Sequence, residues 1–298
     1  MIRTEHVYKS FDGVPVLEDL SLHVPKGAVY GLVGPNGAGK TTIIRNIMGI
    51  YRPDSGAITL EGAPIYENPA AKGRIAYIPD DIYYFPQASI RDMMQYYRGV
   101  FPTFSQERYD KLREVFTLDE RRPMRRLSRG MQKQAAFWMA MSLCPGVLIL
   151  DEPVDGLDPV MRRQVWSIIL GDTAEHETTV LVSSHNLREL EDVCDHVGIL
   201  NGGKLLLERS LSELQDNVVK IQLVLPEDAS ALPQELSLLH ESSTGRLRTL
   251  IIRGKAEDTA NALTALSPIF MDVLPLTLEE IFIYELGGVD YAAKDIVL

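Results

Sequence analysis

The stretch Gly34-Pro35-Asn36-Gly37-Ala38-Gly39-Lys40-Thr41-Thr42 follows the apolar run Ala28-Val29-Tyr30-Gly31-Leu32-Val33 and opens into Ile43-Ile44-Arg45-Asn46-Ile47-Met48. This order predicts strand, glycine-rich loop and helix, with the phosphate-loop spacing of a Gly, four residues, then Gly-Lys-Thr. Glycines let backbone N–H groups wrap phosphate oxygens, and the helix N-terminus behind them adds a positive dipole. Lys40 is expected to reach the β- and γ-phosphates and the Thr41 hydroxyl to ligate Mg²⁺. The expectation is a nucleoside triphosphate site with Gly34 through Thr42 as its cradle.

The rest of the composition narrows the setting. With 298 residues the chain suits a large domain, alone or with a small one. Its net charge of −11 argues against nucleic acid as a partner, because phosphate backbones need a basic stripe. The same charge disfavours direct adhesion to an anionic membrane surface. One local cluster, Arg121-Arg122-Pro123-Met124-Arg125-Arg126, reads as a solvated face. No apolar run approaches the ~20 residues that span a bilayer, and Met1-Ile2-Arg3-Thr4-Glu5-His6 lacks the features of a signal peptide. Cys144 and Cys194 show no metal-ligand spacing and read as small core residues in a reducing compartment.

Leu20-Ser21-Leu22-His23-Val24 alternates as a half-buried strand, between turns at Phe11-Asp12-Gly13 and Pro25-Lys26-Gly27. Residues from about 82 to 126 are aromatic-rich, helical in period and free of strand signals. With the helix opening at Ser128 they form a helical subdomain over about 82–135. Val147-Leu148-Ile149-Leu150 and Thr179-Val180-Leu181-Val182 then read as strands of a parallel sheet buried on both faces. Val197–Leu200 and Leu205–Leu207 form a hairpin across Asn201-Gly202-Gly203-Lys204. From about residue 217 the pattern changes to a small α+β appendage. Its expected strands contain Val219, Ile221, Leu223 and Leu225, then Arg248–Arg253 and Ile269–Leu274, with a helix over Ala256–Leu266.

Two further motifs narrow the chemistry. Val147–Leu150 runs into Asp151-Glu152-Pro153 and so delivers two carboxylates at a strand end. Asp151 is placed to hold Mg²⁺ and Glu152 to polarise an attacking water. Leu127-Ser128-Arg129-Gly130-Met131-Gln132-Lys133-Gln134 opens a helix about 20 residues upstream of that strand, with Ser128 as its N-cap.

Taken together, residues 1 to about 215 resemble the ATP-binding cassette (ABC) ATPase family, in the family's motif order. Gly34–Thr42 matches the phosphate loop, and Asp151-Glu152 the Walker B pair. Leu127 to Gln134 resembles the signature segment, Gly156-Leu157-Asp158 the D-loop, and Ser183-Ser184-His185 the switch-histidine segment. Phe11 stands where the family places an aromatic against adenine, with Tyr8 a second candidate and plain packing the alternative. The resemblance implies an α/β fold, a P-loop NTPase core with a parallel sheet, an antiparallel β subdomain and a helical subdomain. The small C-terminal α+β domain follows it, with domain spans of 1–216 and 217–298.

Two motifs depart from the family pattern. Arg129 and Met131 replace Gly and Gln of the usual Leu-Ser-Gly-Gly-Gln, while Ser128 and Gly130 are kept. Ile75-Ala76-Tyr77-Ile78-Pro79-Asp80 puts a carboxylate where the family's Q-loop has Gln, which makes Asp80 a third candidate Mg²⁺ ligand beside Thr41 and Asp151. Both departures resemble the drug- and peptide-export branch with separately encoded permeases.

The resemblance implies ATP and Mg²⁺ as cofactors, with Glu152, His185 and Lys40 as catalytic groups. Ser128, Gly130 and Asp158 would meet the ATP of a second ABC ATPase subunit, in a homo- or heterodimer. The other partner implied is an integral-membrane permease received near residues 80–105, with the chain held at the cytoplasmic face of the membrane through it. A soluble ABC ATPase acting on ribosomes or nucleic acid is the alternative. The single phosphate loop, the acidic charge and the lack of a heptad run speak against it. Near the end, Thr277-Leu278-Glu279-Glu280-Ile281-Phe282 is similar to the closing helix of export-type subunits.

Overall fold

The structure, a computed structural model, describes residues 1–226, 232–233 and 236–285. Ile2–Phe11 (β1) and Val14–Val24 (β2) pair antiparallel across Asp12-Gly13, both at positive φ, as a two-residue hairpin requires. Leu20, Leu22 and Val24 turn inward while Ser21 and His23 face solvent, as the alternation predicts. Val29–Val33 (β3) is buried at every position and leads through the glycine-rich loop into Lys40–Ile47 (α1). Ser55–Leu60 (β4) and Ala63–Pro64 (β5) complete an antiparallel sheet of order β2-β1-β4-β5.

A short helix, Pro69–Lys72 (α2), precedes Ile75–Ile78 (β6). Next come Ile90–Val100 (α3), Gln106–Leu112 (α4) and Arg129–Ser142 (α5), capped by Ser89, Ser105 and Ser128, whose side chains each accept a first-turn N–H. The sequence places no stop in α5, and it runs on to Ser142 because its second half is apolar all round and buried. Trp138 on α5 stacks on Tyr109 of α4 at 4.6 Å and donates Nε1–H to the Tyr109 carbonyl at 2.8 Å.

Val147–Asp151 (β7), Pro159–His176 (α6), Thr179–Ser184 (β8), Arg188–Glu191 (α7), His196–Asn201 (β9) and Lys204–Ser210 (β10) follow. They build a six-stranded sheet of order β10-β9-β3-β8-β7-β6. Strands β9, β3, β8, β7 and β6 run parallel, and β3, β7 and β8 are buried throughout. Each connection within the parallel strands returns through other structure, so the carboxyl ends of β3, β6, β7 and β8 share one edge.

Contacts divide the chain into two units. The larger holds Met1–His185 and Val193–Glu208; the smaller holds Asn186–Asp192 and the described residues from Arg209 onward. After Leu211–Asn217 (α8), the smaller unit contains Val218–Val224 (β11), Ser237–Thr244 (β12), Leu247–Arg253 (β13), Ala256–Thr264 (α9), Phe270–Leu274 (β14) and Leu278–Glu285 (α10). Its sheet is antiparallel in the order β12-β13-β11-β14. Val219, Ile221, Leu223, Leu250, Ile252 and Leu263 form its core. Inside this unit Arg188 Nη2 lies 2.9 Å from Glu279, and the Leu278 N–H donates to Glu191 at 3.0 Å.

Two sequence expectations change. Strand β12 was not anticipated, because its residues are mostly exposed and carry no apolar alternation. Cys144 is not a core residue: it is exposed in the turn after α5, at a φ of 47°, while Cys194 is buried. Burial raises the Cys194 thiol well above its usual range.

Candidate functional site

The turn from β3 into α1 builds the candidate phosphate cradle. Gly39 caps α1 at a φ of 107°, a backbone that side chains rarely adopt, and this points the first α1 N–H groups at the loop's hollow. A cleft of about 280 Å³ opens there, lined by Asn36 through Thr42, Val16, Asp80 and Glu152. Lys40 is almost wholly buried, and its Nζ donates to the Gly34 carbonyl at 2.7 Å and the Pro35 carbonyl at 3.3 Å. Its ammonium also stands 3.4 Å from Glu152 Oε1.

Strand β7 delivers the two carboxylates to the same edge. Asp151 is 1% exposed and accepts the Ser183 hydroxyl of β8 at 2.6 Å. Burial and the Asp151 charge push the neighbouring Tyr77 phenol up to about 12, which keeps it neutral. Glu152 has a φ of 47°, in the left-handed region, and its N–H donates to both the carbonyl and hydroxyl of Ser183 at 3.2 Å. Its carboxylate turns into the cleft between Lys40 and His185, whose Nδ1 lies 2.9 Å away. The His185 N–H also donates to Glu152, at 3.3 Å. Asp155 brings a third ligand-type side chain, within 4.8 Å of Glu152 and His185, which sequence reasoning did not single out.

The structure thus gathers Gly34 to Thr42, Asp80, Asp151, Glu152 and His185 at one sheet edge. Thr41, Asp151 and Asp80 offer hydroxyl and carboxylate oxygens, the hard donors that suit Mg²⁺. Asp80, however, is already paired: its Oδ1 lies 2.7 Å from Arg129 Nη2 and 3.3 Å from Lys133 Nζ. Arg129 and Lys133 are one helical turn apart on α5, and Lys133 is 0% exposed. Sequence reasoning missed Lys133; the spacing of the two cations on one helix face was the available signal.

The other site candidates lie outside this cleft's lining. The Ser128 hydroxyl caps α5 by accepting the Met131 N–H at 3.3 Å. Asp158 caps α6 by accepting the Val160 and Met161 N–H groups at 3.0 Å. Gly130 faces the D-loop so closely that an added Cβ would meet the Gly156 carbonyl oxygen at 2.5 Å. Phe11 closes β1, edge-on to Tyr51 at 5.2 Å between ring centres, with Lys9 Nζ 5.3 Å from its own ring centre.

A family model described as ABC transporter matches residues 17–155. The chain is 32% identical over 288 residues to the ABC transporter ATP-binding protein YtrB of Bacillus subtilis, which covers 97% of this chain and 99% of that protein. It is 32% identical over 230 residues to the Nod factor export ATP-binding protein I of Cupriavidus pinatubonensis, over 75% of this chain and 70% of that one. A solved ATP binding subunit of an ABC transporter superposes with a TM-score of 0.67 at 26% identity, covering 72% of this chain and 92% of that chain.

Proposed function

This chain belongs to the family of ATP-binding, ATP-hydrolysing subunits of ABC transporters, and we propose that it works in export, as one of a head-to-tail pair driving an integral-membrane permease. The observation that carries this reading is that Lys40 and Glu152 line one cleft beside the phosphate loop, with His185 bonded to the Glu152 carboxylate and Asp151 joined to Glu152 through the Ser183 hydroxyl. Phosphoryl transfer to water is mostly positioning and charge stabilisation, so the division of labour follows from placement. The loop N–H groups and Lys40 hold the triphosphate. A γ-phosphate at Lys40 competes with Glu152 for that ammonium, which frees the carboxylate to accept a proton from water. His185, hydrogen-bonded to the same carboxylate, fixes its direction. Thr41 and Asp151 would hold Mg²⁺, which would supply positive charge to offset that of the phosphates.

Ser128, Gly130 and Asp158 are proposed to act at a second subunit's ATP, as the family resemblance implies; in this chain Ser128 and Asp158 cap α5 and α6. Closing on ATP and opening after hydrolysis then becomes the work stroke. The docking face for the permease is proposed near residues 80–105. There Tyr83 is 79% exposed and begins a chain of ring contacts through Phe85, Tyr96, Tyr97 and Phe101. Among the described residues no helix is long and apolar enough to cross a membrane, which fits attachment through such a partner at the cytoplasmic face. The motif departures at Asp80 and Arg129 favour export.

Glu152→Gln tests the reading. ATP affinity is expected to persist while turnover falls about 10²- to 10⁴-fold, the usual contribution of a positioned base, and an ATP-dependent dimer accumulates in size-exclusion chromatography. Normal hydrolysis by this variant refutes Glu152 as the base. Co-purification of the tagged chain with a multi-span membrane protein is expected; recovery on ribosomes or DNA refutes the permease.

A further inference from the structure

Lys133 has no part in the catalytic roles given above, yet its surroundings are those of a working residue. It is 0% exposed, and a buried ammonium is costly unless its protons are matched by acceptors. Two acceptors meet it: the Glu152 main-chain carbonyl, in a short hydrogen bond, and Asp80 Oδ1 at 3.3 Å. The Glu152 backbone needs holding, since its φ of 47° lies in a region that L side chains seldom occupy. Its N–H is fixed from β8 by the carbonyl and hydroxyl of Ser183. Its carbonyl is fixed from α5 by Lys133. With the peptide groups on either side restrained, the side chain is aimed into the cleft, 3.4 Å from Lys40 and 2.9 Å from His185.

We propose that Lys133 is a positioning residue for the general base, holding the Glu152 backbone in its left-handed conformation, with Asp80 as the counter-charge that lets an ammonium be buried there. This accounts for Asp80 and Arg129 at once. Asp80, in place of the usual neutral amide, supplies the carboxylate that Lys133 needs. Arg129, in place of a glycine, takes a second bond to the same oxygen at 2.7 Å, from a position that is 59% exposed. The strand end carrying Asp80 and the first turn of α5 are thereby tied together. The aim of Glu152 then depends on where α5 stands, so a displacement of the signature helix withdraws the base without any change in the phosphate cradle. The proposal rests on the reading of Glu152 as the base.

The test compares Lys133→Met, Asp80→Asn, the pair Asp80→Asn with Lys133→Met, and Glu152→Gln in the full chain. Steady-state ATPase rates, MgATP affinity and melting temperature are measured for each. Lys133→Met should lower kcat by about 10- to 100-fold, the penalty of a misplaced group, while leaving MgATP affinity within about twofold. The double variant removes the buried charge and its counter-charge together. Its melting temperature should return toward that of the native chain while kcat stays low, because the donor to the Glu152 carbonyl is still missing. A purely structural Lys133 would restore both. A kcat in Lys133→Met within about twofold of the native value, or one recovered with melting temperature in the double variant, overturns the proposal. If Lys133→Met fails to fold, the double variant alone decides. Glu152→Gln separates the two failures: normal turnover there removes the base assignment, whereas an inactive Glu152→Gln beside an active Lys133→Met removes only the role of Lys133.

Discussion

Gly130→Ala is the sharpest single-atom perturbation of the signature segment. The added Cβ would stand 2.5 Å from the Gly156 carbonyl oxygen, whereas real Cβ contacts essentially never fall below 3.0 Å. The obstacle is backbone, so no side-chain rotation relieves it. Either the first turn of α5 or the D-loop must retreat by roughly half an ångström, and ordinary contact distance asks for more. Overpacking of this kind costs about 1–3 kcal/mol. For a unit of this size each kcal/mol lowers the melting temperature by about 2–4 °C, giving an expected drop of about 2–12 °C. Thermal unfolding followed by circular dichroism reads that drop directly. ATPase activity measured against protein concentration reads the second consequence. A displaced Gly156 moves the D-loop and the start of α6, so the concentration dependence should shift to weaker self-association while MgATP affinity stays unchanged. Serine at the same position should behave like alanine, since the offending atom is the Cβ. A Gly130→Ala protein that melts within about 1 °C of the native chain, against the range expected from overpacking, would mean that the two loops are not in contact and would refute the reasoning.

Two further outcomes are expected. Lys40→Ala should weaken MgATP binding by roughly 10- to 100-fold in calorimetry, the worth of a charge-assisted bond to phosphate; undiminished affinity would place the phosphates elsewhere. Burial pushes the Glu280 carboxyl up, but bonds from Lys220 and from the Thr277 N–H and hydroxyl outweigh it and hold it below the usual carboxylate range. A lowered folded-state value stabilises above the unfolded value, about 4.3, and that stabilisation is lost as pH falls through the folded one. Protection factors of the β11 amides, the exchange rates corrected for intrinsic pH dependence, should therefore fall on acidification below about pH 4.3, and less so in Glu280→Gln; equal acid sensitivity in the two proteins would count against this.

The parts of the fold that could be read from sequence are those whose cause is local. Val29–Val33 and Val147–Leu150 are apolar at successive positions because both sheet faces are covered, and the glycines of residues 34–39 belong to a turn set by backbone geometry alone. Ser128 was recognisable as a cap because capping is settled within three residues. What could not be read depends on distance along the chain. Asp80 lies 49 residues from Arg129 and 53 from Lys133, so two departures from a family pattern gave no sign of being one ionic cluster. Strand β12 escaped for a different reason. It is recruited by pairing with β13, and its exposed Ser, Glu and His side chains carry no imprint of that pairing. Cys144 was assigned by residue type, and the turn after α5 decided otherwise.

The path of the chain between the two units has a practical consequence. The polypeptide leaves the larger unit directly after His185, returns at Val193 and leaves again after Glu208. A protein truncated at residue 208 is therefore not a clean cassette. It keeps Asn186–Asp192 but strips them of the Glu279 carboxylate that grips Arg188 and of the Leu278 N–H that Glu191 accepts. His185 would then be followed by a loop that has lost these two bonds. Swapping C-terminal units between relatives is likewise a two-splice operation, in which the short segment after His185 has to travel with the residues beyond 208.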